Sequence, residues 1–558
     1  MKKMKKMLAL AISAVLILSL SVCYFAADRE DGYKNNVGTI NLDSLSVTGD
    51  GIEVQENTII ISKGGDFTVT GNLDDGMIRI NTEGKVKLRL SGMSLTNTQG
   101  PAIYFENAEK GFITITEDTE NYIKDGGNYS AEDADAALFS NDDLEIKGAG
   151  TLTIEGNYKH GIASDDDLSI ENGTIIITSA EHGIKANDKV TISGGNIDIT
   201  AKTGKGIKAG EELVIDGGAI NIVSLESEGL ESKGTITING GDINIEAADD
   251  GINTGTENSQ NIADEFQNRK KSSNSENEQT PQNQELTQGG QKRERIKGDM
   301  PNADFQNGEP PQRPDFDGKT PPEMKKEQKM DGSREMRQPP QDGEMMQPPQ
   351  GDKPDIERHQ GDMNFGGFGK VDDETAALHA ITINGGNIYI KTSGDGIDSN
   401  GSLTITGGTI KIDGPEMNGN GSLDSDGTMA ITGGEIITLS SAGMLQLPQS
   451  SDIQNTLKVV FGEQGTQDDK ISVKDSDGNE IMSTISKGKY MALIYSSDKL
   501  KEGDEYRIYV NDNLQETVTL TKGITSVGNN TEFTGGFGGR GTRENEVSDK
   551  YEINGKIL

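Results

Sequence analysis

One short pattern recurs eight times through the middle of this chain, and a unit of that length cannot bury a core by itself. Each copy is an apolar-alternating run, usually a Gly pair, a second alternating run, then Gly-Ile and a polar corner. The Gly before the second run falls at Gly150, Gly173, Gly195, Gly218 and Gly241, and resumes at Gly386, Gly408 and Gly434. The first four steps are 23, 22, 23 and 23 residues. Repeats this small are stable only when neighbours stack.

Within each copy the alternation has period two. Leu168-Ser169-Ile170 with Thr174-Ile175-Ile176-Ile177-Thr178 is one pair of runs, and Val190-Thr191-Ile192 with Asn196-Ile197-Asp198-Ile199-Thr200 is the next. Leu, Ile and Val therefore share one face, and Ser, Thr, Asn and Asp the other. No helical period lies between the runs. The Gly pairs allow a tight bend at positive φ. A third short segment follows at Gly161-Ile162, Gly183-Ile184, Gly206-Ile207, Gly229-Leu230, Gly251-Ile252 and Gly396-Ile397. Three strands and three bends in such a unit predict one coil of a parallel β-helix. Eight coils at the inter-strand spacing would extend about 38 Å. The stretch from Gly38 to Gly127 reads as further, less regular coils, with strands at Phe67-Thr68-Val69-Thr70, Met77-Ile78-Arg79-Ile80 and Val86-Lys87-Leu88-Arg89-Leu90. A flat β-sandwich is the rival all-β fold, although its strands do not normally repeat their turn residues so regularly.

From Gly255 to Ala377 the pattern vanishes. This stretch holds 12 of the 15 prolines and is dominated by Gln, Asn, Asp, Glu, Lys and Met. Such composition cannot offset ordering entropy and predicts disorder. The repeat then resumes in phase: with the insertion removed, Gly251 sits 12 positions before Gly386, the step from Gly229 to Gly241. The insertion is expected to leave and re-enter at one corner, as a tolerated loop or as a tether to a protein partner. The predicted organisation is a β-helix over 38–254 and 378–440 interrupted by the insertion at 255–377. A small C-terminal β cap follows at 455–523, and a Gly-rich mobile tail at 528–558. In the cap, Leu457-Lys458-Val459-Val460-Phe461, Met491-Ala492-Leu493-Ile494-Tyr495, Tyr506-Arg507-Ile508-Tyr509-Val510 and Thr517-Val518-Thr519-Leu520 read as antiparallel strands that cover the open end of the stack.

Composition narrows the partners. A net charge of −38 disfavours nucleic acid and anionic membrane. An acidic ligand would need a bridging cation. Aromatic residues are 4 % of the chain and Trp is absent, a thin supply for stacking on sugars. The single Cys23 excludes an intrachain disulfide framework. Lys2, Lys3, Lys5 and Lys6 precede an apolar run from Met7 to Val22, the form of an export signal and short for a membrane span. Residues 1–27 are therefore expected to be a signal peptide cleaved between Cys23 and Ala27, giving a secreted or cell-surface protein. Leu20-Ser21-Val22-Cys23 resembles a lipoprotein box, with Val22 a poor fit, so membrane anchoring through a lipid or an uncleaved N-terminus stays open.

Chemistry concentrates at the polar corners. Copies read Phe139-Ser140-Asn141-Asp142-Asp143, Ala163-Ser164-Asp165-Asp166-Asp167, Lys185-Ala186-Asn187-Asp188 and Lys208-Ala209-Gly210-Glu211-Glu212, then Asp398-Ser399-Asn400 and Asp424-Ser425-Asp426. Stacked carboxylates repel unless they titrate upward, splay into water or share a divalent cation. Calcium takes six to eight oxygen ligands, which Asp, Asn and backbone carbonyls supply. The alternative is a solvated corner with an amide ladder of Asn141, Asn187 and Asn400. A second acidic set precedes Gly-Ile, most clearly at Asp249-Asp250-Gly251 and Asp395-Gly396, with Glu228 as its counterpart in another coil. His160 and His182 occupy that position in two coils. They read as a surface stack, with a metal or acid–base pair as the other reading.

An enzyme of this architecture would need a base. A pectate-lyase-like mechanism usually uses Arg, and no Arg lies between Arg89 and Arg269 or between Arg358 and Arg507. Lys185 or Lys208 would have to substitute. A polygalacturonase-like hydrolase carries Gly-His-Gly and Arg-Ile-Lys on its coils. Here Lys159-His160-Gly161 and Glu181-His182-Gly183 lack the first Gly, and Arg295-Ile296-Lys297 lies in the insertion. The paired Asp165-Asp166 alone is a weak acid–base signal. No catalytic residue is assigned.

The segments Ala136 to Ile146, His160 to Leu168, Thr382-Ile383-Asn384-Gly385-Gly386 and Gly394-Asp395-Gly396-Ile397-Asp398-Ser399 together resemble the clostridial cell-surface β-helix proteins known as carbohydrate-binding domain-containing proteins. The resemblance covers residues 39 to 255 and 378 to 527. It implies an all-β, right-handed parallel β-helix similar to polysaccharide lyases but without evident lyase activity. It also implies binding of plant or cell-wall polysaccharide, cellulose and polygalacturonate among them, with bound calcium. Carried over by position, the ligand candidates are Asp142, Asp143, Asp165 and Asp166, then Asp250, Asp395, Asp398, Asp424 and Asp426. Where coils of that family usually read Asp-Asp-Gly-Ile, this chain has Lys159-His160, Glu181-His182, Gly204-Lys205 and Glu228. The expected function is binding of an acidic polysaccharide through calcium. The alternatives are a polysaccharide lyase or hydrolase, and a structural spacer or adhesin.

Overall fold

The computed structural model describes residues 33–129, 134–255, 377–449 and 454–529. The predicted signal peptide, nearly all of the insertion and nearly all of the tail lie outside the described residues. Those that are described belong to one compact unit, an all-β solenoid of about 11 turns followed by a separate β layer. The sandwich alternative falls.

Each regular coil has three strands, and equivalent strands of successive coils pair in parallel. The first face carries Leu168–Ile170, Lys189–Ile192, Glu212–Ile215 and Thr235–Ile238, then Ile381–Ile383 and Leu403–Ile405. The second carries Thr151–Gly156, Thr174–Ser179, Asn196–Ala201, Ala219–Ser224, Asp242–Ala247, Asn387–Thr392 and Thr409–Asp413. The third is a 12-stranded ladder whose later members are His160–Ser164, Ile184–Ala186, Ile207–Ala209, Leu230–Ser232, Ile252–Thr254, Ile397–Ser399 and Leu423–Ser425. Its register runs Ile162, Ile184, Ile207, Leu230, Ile252, Ile397 and Leu423, all buried. Burying each such side chain contributes on the order of 1.5–3 kcal/mol. One contiguous core therefore runs the length of the stack. The N-terminal end is covered by two antiparallel hairpin pairings, Val37–Asn41 with Ser46–Thr48 and Ile52–Gln55 with Thr58–Ile61.

Two glycine positions make the coil for different reasons. The Gly before the second-face strand turns the chain at positive φ, from 110° at Gly173 to 86° at Gly434. Gly150 is in register with Gly173 but does not; there the positive φ falls on Gly148, because that bend is one residue longer. The Gly of Gly-Ile answers to packing instead. A Cβ on Gly183 would lie 2.3 Å from Ile199 Cγ2 and 2.7 Å from the Gly206 carbonyl, and Gly161, Gly206, Gly229 and Gly251 are crowded in the same way.

The interruption is absorbed at one corner, as its phase predicted. Thr254 Oγ1 donates to the His379 carbonyl (2.8 Å), Asn400 N donates to Thr254 Oγ1 (3.1 Å), and Ile381 pairs in register with Ile236.

At the C-terminal end, Glu435–Ser440 pairs antiparallel with Tyr490–Ser496, which pairs antiparallel with Thr456–Gly465. A four-stranded antiparallel sheet of Lys470–Asp475, Glu480–Ile485, Glu505–Val510 and Asn513–Thr519 completes this layer. It has its own core of Leu457, Val459, Phe461, Leu493, Tyr495 and Ile508, and it occupies the edge that the last coil would expose. Ile524–Gly528 adds a parallel pairing to the otherwise antiparallel set.

Candidate cation site

Two residues per coil flank Gly-Ile on the third ladder, one leading it and one trailing it. Alternation turns the trailing residue away from the inward Ile, whereas the leading one stands at the bend that enters the strand. The leading position reads His160, His182, Lys205, Glu228, Asp250 and Asp395 along the stack, and the trailing one Ala163, Lys185, Lys208, Glu231, Asn253, Asp398 and Asp424. These positions thus pass from imidazole and ammonium groups to carboxylates.

A shared backbone bond holds much of the leading column. His160 Nδ1 accepts from His182 N (3.2 Å), and His182 Nδ1 accepts from Lys205 N (3.0 Å). At the other end Asp250 Oδ1 accepts from Asp395 N (2.7 Å), and Asp395 Oδ1 accepts from Gly421 N. One atom of each side chain is committed to the next coil. The second oxygen of each Asp is left for another partner.

Asp250, Asp395 and Asp398 thereby bring one carboxylate oxygen apiece within 4.8 Å of one another. Asn253 completes a square, two residues from each of two successive coils. Its Nδ2 donates to Asp250 Oδ2 (3.2 Å), while its buried Oδ1 has no hydrogen-bond partner. Which end of an amide carries oxygen follows from its partners. Turned over, this amide presents an oxygen beside Asp250 Oδ2, the arrangement that a shared cation favours. Burial, then like charge, pushes Asp250 up to about 8, Asp398 up to about 7 and Asp395 up to about 6, the nearby Asp249, Asp424 and Asp426 adding to the repulsion. Oxygen-only donors with unrelieved negative charge suit a hard divalent ion such as calcium.

The remaining candidates stand apart from the square, except Asp424, which is in register with Asp398 one coil on. Asp142 Oδ2 accepts from Ala108 N (2.7 Å), Asp143 Oδ1 from Asp167 N (3.4 Å), and Asp165 Oδ1 from Asn187 Nδ2 (2.8 Å). Burial and the carboxylates of Asp143, Asp188 and Asp142 raise Asp166. These residues follow the third strand, whereas Asp250 and Asp395 precede it. Asp424 is bonded to the Gln446 amide, and Asp426 stands on the following corner. The alternative ladder of Asn141, Asn187 and Asn400 does not form, because Asn141 and Asn400 donate to carbonyls of the preceding coil, at Glu106 and Thr254. Side-chain stacking occurs instead at the Gly-pair bend, where Thr406 Oγ1 donates to Asn384, Asn384 to Asn239, and Asn239 to Asp216.

The histidines correct a second expectation. They are stacked, with ring centroids 4.7 Å apart and 10° between planes, but they are buried rather than on the surface. Both Nδ1 atoms accept, so each neutral ring carries its proton on Nε2, facing Asp135 (3.3 Å) and Glu181 (3.4 Å). Burial and the neighbouring positive charges hold His182 down at about 2. These two rings act as coil-to-coil struts. The lysines beside them are ion-paired, Lys185 with Asp135, and Lys205 and Lys208 with Glu231. Asn253 is the site residue that sequence reading missed; its register with Asp398 was the available signal.

Comparison with known proteins bears on the solenoid. A family model described as carbohydrate-binding domain-containing protein matches residues 55–209 and 201–251. A curated carbohydrate-binding domain-containing protein of Acetivibrio thermocellus is 36% identical over 145 residues, 25% of this chain and 49% of that protein. The chain spans about half the length of that curated relative. A solved structure of a polysaccharide lyase-like protein from C. thermocellum, a gadolinium derivative, is 33% identical, covers 40% of this chain and 92% of its own, and gives a TM-score of 0.36.

Proposed function

We propose that this chain, whose residues 55–251 match the model of the carbohydrate-binding domain-containing protein family, is a secreted or cell-surface binding protein for an acidic polysaccharide, with calcium as the bridge. The observation that carries the reading is the square of Asp250, Asn253, Asp395 and Asp398. Asp250 and Asp395 each give one oxygen to a backbone amide, and one oxygen from each of the three carboxylates converges with the others. Calcium there would neutralise charge that the half-buried cluster cannot hold alone, and would offer open coordination positions to a uronate carboxylate. A chain of net charge −38 with 4 % aromatic residues is better equipped for that contact than for stacking on neutral glucan such as cellulose.

Binding of this kind needs no catalytic step. Lys185, Lys205 and Lys208 on the third ladder and Lys391 in the coil of Asp395 are each ion-paired with a carboxylate. The test is retention of the signal-free protein on polygalacturonate and on cellulose, with calcium and with chelator, while released sugar is assayed. Calcium-dependent retention on polygalacturonate without product is the expected result. Unsaturated or reducing ends in the supernatant would instead make it a lyase or hydrolase. Retention on neither glycan would leave the spacer or adhesin role.

A further inference from the structure

A cavity of about 640 Å³ lies where the solenoid meets the C-terminal layer. Its floor is the ends of second-face strands from four successive coils, at Val223-Ser224-Leu225, Glu246-Ala247-Ala248, Lys391-Thr392-Ser393 and Asp413-Gly414. Its wall is the turn at Lys487-Gly488, between Glu480–Ile485 and Tyr490–Ser496. Three hydrogen bonds pin that turn to the solenoid. Lys411 Nζ donates to the Ile485 carbonyl (2.7 Å), Lys487 N to Asp413 Oδ1 (3.1 Å) and Lys489 N to Glu416 Oε1 (3.0 Å). The wall is therefore built rather than merely nearby, and it stands across the direction in which the coils stack.

The cavity adjoins the cation square. Ala248 leads directly into Asp249-Asp250, and Ser393 into Gly394-Asp395. Thr392 Oγ1 donates to the Asp249 carbonyl, and the Asp249 and Asp250 carboxylates lie against Gly394. Its lining is amphipathic. Leu225 and Met417 line it and are 55% and 73% exposed, side chains that the fold leaves in water. Beside them stand the Lys391–Glu246 ion pair and Lys487, which has no ion-pair partner among the described residues. Pockets of this size at the junction of two cores are common ligand sites. The last coils and the wall also lie beyond residues 55–251, so the cavity adds something to the matched family region.

We propose that this cavity is a blind subsite that takes the end of an acidic glycan chain, apolar ring faces against Leu225 and Met417 and the terminal carboxylate towards Lys487, while an inner carboxylate of the same chain meets the cation at Asp250, Asp395 and Asp398. The inference rests on the calcium-bridged reading. The protein would then bind chain ends and not slide along chain interiors, because the turn at Lys487-Gly488 stops a strand that follows the corner of the solenoid.

The test is titration of the full chain, in calcium, with a length series of oligogalacturonides, native and with either end chemically modified. Lys487→Ala and Leu225→Trp are the variants; both positions are exposed and fold-neutral. Affinity for native oligomers should reach a plateau at short length, fall about tenfold when the recognised end is modified, and fall similarly in both variants. Calcium binding measured without sugar should be unchanged in both. Retention of the wild type on the polymer, but indifference to end modification and to both substitutions, would overturn the end subsite and leave the calcium reading standing. Equal binding of neutral cello-oligosaccharides would overturn the carboxylate assignment. Failure of the wild type to bind any uronate in calcium would overturn both.

Discussion

Replacing Asp250 by Asn should stabilise the protein in chelator and make it nearly blind to calcium. Burial, then the neighbouring carboxylates, raises this carboxyl from 3.8 to about 8. An unfolded chain releases the proton near pH 4, whereas the folded one keeps it until about 8. The folded state therefore binds more protons across that window, and stability falls as pH rises through it. At pH 7 the gap of about three units corresponds to a ceiling of about 4 kcal/mol at 1.36 kcal/mol per unit. The site is half-open to solvent, so about 2 kcal/mol is the working figure. Asp250→Asn removes that cost while keeping an oxygen to accept from Asp395 N, and it lets the Asn253 amide turn so that its buried oxygen gains a donor. Calcium at a hundredfold excess over its dissociation constant should stabilise the wild type by about 2.7 kcal/mol, and the variant by much less. Denaturant melts of both proteins at pH 5, 7 and 8, in chelator and in calcium, read all of this. A variant less stable than wild type in chelator at pH 7, or one with an undiminished calcium response, would refute the reasoning.

Three further outcomes follow from the coil. His182 is held at about 2 against an unfolded value of 6.5, so stability is lost as pH falls below about 6.5; His182→Asn should lessen the loss at pH 5 by about 2 kcal/mol while costing about 1 kcal/mol of ring stacking at pH 7, both read from denaturant midpoints. Gly183→Ala should destabilise by about 1–3 kcal/mol by driving a methyl into Ile199 and the Gly206 carbonyl, whereas Gly127→Ala, where an added methyl meets open space, should leave the melting midpoint within about 0.5 kcal/mol. Deleting residues 256–376 should leave circular dichroism and the melting midpoint close to those of the full chain, since Thr254, His379 and Ile381 already join the flanking coils in register.

Much of the fold was written in the period of the repeat. The alternation at Thr174 to Thr178 and Asn196 to Thr200 placed Ile175, Ile177, Ile197 and Ile199 inside, and the phase across the insertion placed Ile381 beside Ile236. The site was less legible because it depends on side-chain direction across coils. Asp142 and Asp250 look equally acidic in sequence, yet one caps an amide at Ala108 and the other joins two carboxylates from the coil that follows the insertion. Burial of His160 and His182 was hidden for a similar reason: the polar step before Gly-Ile looks exposed, but each ring is tucked against the next coil's amide. The helix-free cap was readable as strands, while its role as a cavity wall depends on which loop meets which coil.

The leading column makes the same amide-accepting bond with His at one end of the stack and Asp at the other. A single architectural bolt thus accepts two fittings of opposite electrical character. The two halves of this column are consequently distinguishable to anything lying along it: a polymer with unlike termini meets ammonium first in one orientation and carboxylate first in the other. The stack is therefore polar along its length, and that polarity can be altered by exchanging the flanking residues without disturbing a single core isoleucine.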